Sequence, residues 1–129
     1  MNNRTLGSEW EEKAAAYLET RGMKILERNF RCSQGEIDLI GVQGEYLVFV
    51  EVKYRQNTRK GFASEAVDKK KQYRISRVAE FYCYQKKVGM HQSIRYDVVS
   101  VQGGEIEWIP NAFFHQYARQ YKNKKDVDG

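Results

Sequence analysis

Apolar residues recur along the first twenty positions at helical spacing. Gly7, Glu11, Ala14, Ala15 and Leu18 share one stripe, while Glu9, Glu12, Lys13 and Thr20 fall largely elsewhere. This predicts an amphipathic helix over residues 3–20, closed by Gly22 in a left-handed cap. The period then shortens. Residues 24–31 read as a first strand, with Ile25, Leu26 and Phe30 as its apolar content. Residues 35–40 and 47–55 read as an antiparallel hairpin, with Gly41 and Gly44 in the turn between them. Its second strand is nearly continuously apolar from Leu47 to Val52, as expected of a strand covered on both faces. Helical spacing returns from position 63 or 64 to about 87, on a stripe of Val67, Lys71, Ile75, Val78 and Tyr82. Residues 94–101 read as a further strand, returning through Gly103 and Gly104 to residues 105–109. Pro110 is expected to end that strand, Asn111 to cap, and residues 112 to about 122 to form a last helix.

Helices alternating with strands in this way predict an α/β domain, a mixed central sheet flanked by helices. At 129 residues the chain reads as one domain over positions 1–122, with a charged, disordered tail at 123–129. No apolar run has the length of a membrane span, and the N-terminus lacks a signal-peptide core, so a cytoplasmic protein is expected. Cys32 and Cys83 lie far apart with no CxxC spacing, which argues for reduced thiols and against a zinc site. The net charge of +5 and pI near 9.2 suit a polyanionic partner without demanding one.

The candidate chemistry lies in the hairpin. Side chains two apart on a strand share a face, so Glu36 pairs with Asp38, and Glu51 with Lys53. Charges on a covered strand cost several kcal/mol per ion unless partners or a metal compensate. Acids converging beside a lysine suit Mg²⁺-dependent phosphodiester hydrolysis, with hard oxygen ligands and a cation to orient water or meet charge on phosphate. The plainer reading is a cross-paired trio on a solvated strand. From spacing alone, Glu11 reads first as a solvated rim position of the first helix, and Lys71 as a side chain that reaches out to solvent. Arg95 and Asp97, two apart on one face, read as an ion pair.

An aspartate on one strand followed by Glu-X-Lys on the next resembles the PD-(D/E)XK nuclease signature. The segments GEIDLI and FVEVKYR resemble, more narrowly, the YraN-like family, described as predicted endonucleases distantly similar to archaeal Holliday junction resolvases. The resemblance runs from Leu6 to about Ala112, with Ile37 where the signature has proline and Trp10 where the family has glycine. It implies a restriction-endonuclease-like αβββαβ core and a Mg²⁺-dependent endonuclease, with Mn²⁺ as substitute. Asp38 and Glu51 are then direct metal ligands, with the Val52 carbonyl as a third. Glu11 binds through water or holds a second metal, and Lys53 positions the attacking water. Glu36 shares Asp38's face or braces Lys53 or Arg55. Arg55, Lys71 and Arg74 become the nucleic-acid contacts. The implied partner is DNA, branched or flapped, and symmetric cutting of two strands calls for a homodimer. The rival readings are a nucleic-acid-binding module without turnover, and an interaction domain whose charges form a buried network.

Overall fold

Five strands hydrogen-bond in the order in which the chain makes them: β1 (Lys24–Cys32), β2 (Gly35–Gln43), β3 (Tyr46–Arg55), β4 (Ser93–Gln102) and β5 (Glu105–Phe113). The first three form an antiparallel meander, β4 runs parallel to β3, and β5 returns antiparallel. A parallel neighbour needs a crossover connection, which carries the helix α2 (Lys69–Gln85); the helix α1 (Asn3–Thr20) precedes the sheet. The computed structural model describes residues 3–55 and 67–119, with backbone alone for residues 3–8 and 55. No helix among the described residues is long and apolar enough to cross a membrane.

The alternation of β3 distributes the helices. Leu47 and Phe49 pack with Ile75, Val78 and Tyr82 of α2, whereas Val48 and Val50 pack with Ala14, Ala15 and Leu18 of α1. A strand with apolar residues at both parities must be covered on both faces, and the two helices do so. The expected α/β class, a mixed sheet between helices, is therefore the one the chain forms.

Three boundaries differ from expectation. Gly41 lies inside β2, not in the turn, which is made at Gly44 with φ +58°. A Cβ at Gly41 would sit 2.8 Å from the Lys24 carbonyl oxygen, so glycine is required there by close approach of β1. The second helix starts at Lys69 because Asp68, in an extended conformation, caps it and accepts the Lys71 N–H at 2.8 Å. The earlier start expected at 63 or 64 falls on residues 56–66, outside the described residues.

The last helix is absent among the described residues; β5 instead continues through Pro110 to Phe113. Tyr96 pairs with Phe113 and Val98 with Ile109, so Asp97 alone faces the bulge of Pro110, Asn111 and Ala112. On an edge strand a bulge tolerates a residue without an N–H. Asn111 takes φ +54° and donates its N–H to Asp97 Oδ1 at 2.9 Å. Asp97 is fully buried, and Arg95 grips it with Nε and Nη2, each at 2.9 Å, as the spacing of the pair suggested. Trp108 Nε1 adds a fourth bond at 2.9 Å. A buried carboxylate with all these donors is what holds the proline bulge in the sheet. The end of the expected helix and the tail at 123–129 lie outside the described residues.

Candidate active site

The ladder between β2 and β3 runs from Gln43↔Tyr46 to Leu39↔Val50 and stops. Beyond it the strands part, and Asp38 Oδ2 accepts the Val52 N–H at 2.7 Å. The side chain thus substitutes for a missing ladder carbonyl. This opening is the floor of a cleft of about 720 Å³, walled by the β1–β2 turn and the first turns of α2. Glu36, Asp38 and Glu51 line it with Arg31, Lys71 and Arg74.

The acids fall into two groups. Glu11 from α1 and Glu36 and Asp38 from β2 each place a carboxylate oxygen within 4.8 Å of the others. Glu51, only 7 % exposed, turns to the lysines instead: its Oε2 lies 2.5 Å from Lys71 Nζ and 3.4 Å from Lys53 Nζ. Glu36 also meets Arg31 Nε at 3.5 Å. Of the expected site residues, Glu11, Glu36, Asp38, Glu51, Lys53 and Lys71 thus share one locality. Arg74 lines the same cleft. Val52 enters through its backbone, and the Arg55 side chain lies outside the described residues. Lys71 reaches into the cleft to Glu51, whereas its spacing alone favoured reach to solvent. Cys32 and Cys83 are free thiols.

Electrostatics follow from that division. Burial, then the neighbouring Glu51, pushes the Asp38 carboxyl up to about 8 despite the Val52 hydrogen bond. Burial also raises Glu11, against a hydrogen bond from Asn29. Burial lowers the Lys53 ammonium, reinforced by Lys71 and opposed by Glu51. Burial is also the largest single influence on Lys71 and lowers it, but the hydrogen bonds to Glu51 and Lys53 and the charges of Glu51 and Asp38 together outweigh this and raise it. Asn29, with φ +52°, was not foreseen as a neighbour of Glu11, and nothing in its spacing marks it.

These shifts set a pH dependence. The native Asp38 holds a proton that the unfolded chain releases between its ordinary value of 3.8 and about 8, so metal-free stability falls as pH rises across that window. A cation that replaces the proton offsets the loss. Saturating Mg²⁺ or Mn²⁺ is expected to stabilise the fold by roughly 1–3 kcal/mol. The gain should be larger at about pH 9 than at about pH 6, because metal must displace the proton at the lower pH. Thermal melts at both pH values, with metal and with EDTA, measure it; curves that coincide throughout would leave the acids a buried charge network.

The fold and the cleft together define a class: a small mixed α/β domain with acids and lysines at the point where two central strands part. Comparison with known proteins supplies the family. Residues 10–101 match the uncharacterised protein family UPF0102, and the chain belongs to that family. It is 45% identical over 113 residues to a UPF0102 protein of Lachnoclostridium phytofermentans, covering 88% of this chain and 96% of the relative. A UPF0102 protein of Fusobacterium nucleatum is 40% identical over 111 residues, covering 86% and 92%. One from Cytophaga hutchinsonii is 47% identical over 96 residues, covering 74% and 83%.

Proposed function

We propose that the cleft is the active site of a Mg²⁺-dependent endonuclease acting on DNA, on a restriction-endonuclease-like αβββαβ core. The observation that carries this reading is the convergence of Glu11, Glu36 and Asp38 oxygens within 4.8 Å, with Glu36 and Asp38 lining the same cleft as Glu51 and Lys71, and Lys53 paired to Glu51. The donor set fits a hard divalent cation, since all its members are carboxylate oxygens. The raised Asp38 and Glu11 mark where positive charge is lacking; Glu51, by contrast, already has two ammonium partners.

Asp38 and Glu11 would hold the metal, with Glu36 at hand for a second ion or its water. Glu51 and the Val52 carbonyl extend the ligand set when the lysines shift towards phosphate. Bound there, Mg²⁺ (or Mn²⁺) supplies Lewis acidity, lowering the pKa of water and offsetting charge on the phosphoryl oxygens. Lys53, whose ammonium is held below its ordinary range, orients the attacking water and can exchange a proton with it. Lys71 and Arg74 stand on the cleft wall to meet the phosphate backbone.

Purified protein against labelled linear, nicked, flapped and four-way DNA, with Mg²⁺, Mn²⁺ or EDTA, tests the reading. Metal-dependent cleavage of any of them supports it; binding without cleavage favours the module without turnover. Affinity should fall steeply with salt. Lys71→Ala or Arg74→Ala should flatten the log K against log salt slope by about one unit for each lost phosphate contact. Slopes identical to wild type would remove both residues from the interface.

A further inference from the structure

Even-numbered positions of β3 face α1, and Val48, Val50 and Val52 pack there in turn. Tyr54 is next in that register but lies beyond the end of the core. It meets Trp10 of α1, ring centroids 4.1 Å apart and planes within 7° of parallel. Tyr54 nonetheless remains 41% exposed. Lys13 Nζ stands 5.3 Å from the indole centroid. Each ring adjoins a residue of the candidate active site: Trp10 precedes Glu11, and Tyr54 follows Lys53.

We propose that the Trp10–Tyr54 stack is a platform for an unpaired base, which makes the substrate a DNA with single-stranded nucleotides beside the phosphate in the cleft. This rests on the endonuclease reading and specifies its substrate class. Clasping α1 to the sheet needs only apolar bulk at position 54, as the valines before it show. A flat, near-parallel aromatic pair left partly open offers in addition a π face, which any base can stack on. In a duplex those base faces are already covered by neighbouring pairs, so the platform selects unpaired nucleotides. Lys53 points to the opposite face of the strand, so the end of β3 separates a stacked base from the phosphate that follows it. Lys13 stands over the indole on the Trp10 side of the stack, a cation for the flanking phosphate. Because the two rings are held by α1 and β3, little side-chain freedom is lost on binding.

Fluorescence anisotropy in EDTA, with a labelled oligothymidylate of about 12 nucleotides and a blunt duplex of equal length, tests this independently of cleavage. Tyr54→Leu keeps apolar bulk against Trp10 but removes the π face. It is expected to weaken single-strand binding about ten-fold, the scale of one lost base stack, and to leave duplex binding within about two-fold. Tyr54→Phe should bind like wild type. Single-strand affinity unchanged in Tyr54→Leu, or an equal loss on both DNAs, overturns the platform. If metal-dependent cleavage persists beside that result, the endonuclease reading survives without it. Wild type that binds neither DNA overturns the platform, and the cleavage panel then decides the endonuclease reading separately.

Discussion

Asp38→Asn is expected to cut DNA in Mg²⁺ more than about a hundred-fold more slowly than wild type, since even partners one shell beyond a metal's ligands are worth about 10–100-fold. The fold should not suffer. At neutral pH the metal-free Asp38 already holds its proton, with its carboxyl near 8, so the amide copies the charge of the native state. The variant has no carboxyl to titrate in either state, so its metal-free melts should match wild type near pH 4, exceed it increasingly from there to about pH 8, and keep a constant lead above that. Glu51→Gln should lose cleavage to a similar degree, but its metal-free behaviour differs: Lys71 and Lys53 lose their shared counter-charge, so DNA affinity should rise. Lys53→Ala should suppress cleavage with metal binding largely intact, because an ammonium is not a ligand. Single-turnover cleavage and metal titration of the three variants decide the matter. Retained activity in all three would place the chemistry elsewhere. A wild type that never cleaves, beside tighter DNA binding by Glu51→Gln, would leave a binding module.

Asp97→Ala should cost about 3–5 kcal/mol of unfolding free energy, the usual penalty for stripping one partner from a buried ion pair. Arg95, Trp108 and the Asn111 N–H all lose their acceptor at once. Against a typical total stability of about 5–15 kcal/mol, this is about a fifth or more of what holds the domain folded. Urea denaturation measures it, and a loss below about 1 kcal/mol would mean that water or a rearranged bulge replaces the carboxylate. Cleavage per folded molecule should be unchanged, which separates this acid from those of the cleft.

The sequence made these two kinds of acid legible to different degrees. Glu51 and Asp38 stand out because a strand patterned for cover on both faces carries charge, and the 7% exposure of Glu51 shows that its burial is real. The partner that compensates much of that cost, Lys71, comes from another element, and its spacing alone favoured reach to solvent. Only the crossover, which lays the start of α2 beside the parted strands, decides the matter. Gly41 illustrates the same limit: a glycine between strands reads as a turn, whereas its role is to admit the Lys24 backbone. Pro110 and Asn111 carry stop and cap signals that a bulge also uses. Asp97, on the neighbouring strand, selects between them. Local pattern thus located the elements, and contacts between distant segments assigned the ambiguous residues.

The irregular strands at the two margins of the sheet also bear on how two copies could meet. β1 has a bulge between Ile25 and Glu27, and β5 has the proline bulge opposite Asp97. Neither presents a straight row of free amides and carbonyls, and β1 carries Lys24, Glu27, Arg28 and Arg31 along its length. Such margins resist the addition of another strand. A pair of molecules cutting both strands of DNA would therefore have to associate through helices or loops, or be brought together by the DNA itself, and not by merging their sheets into one.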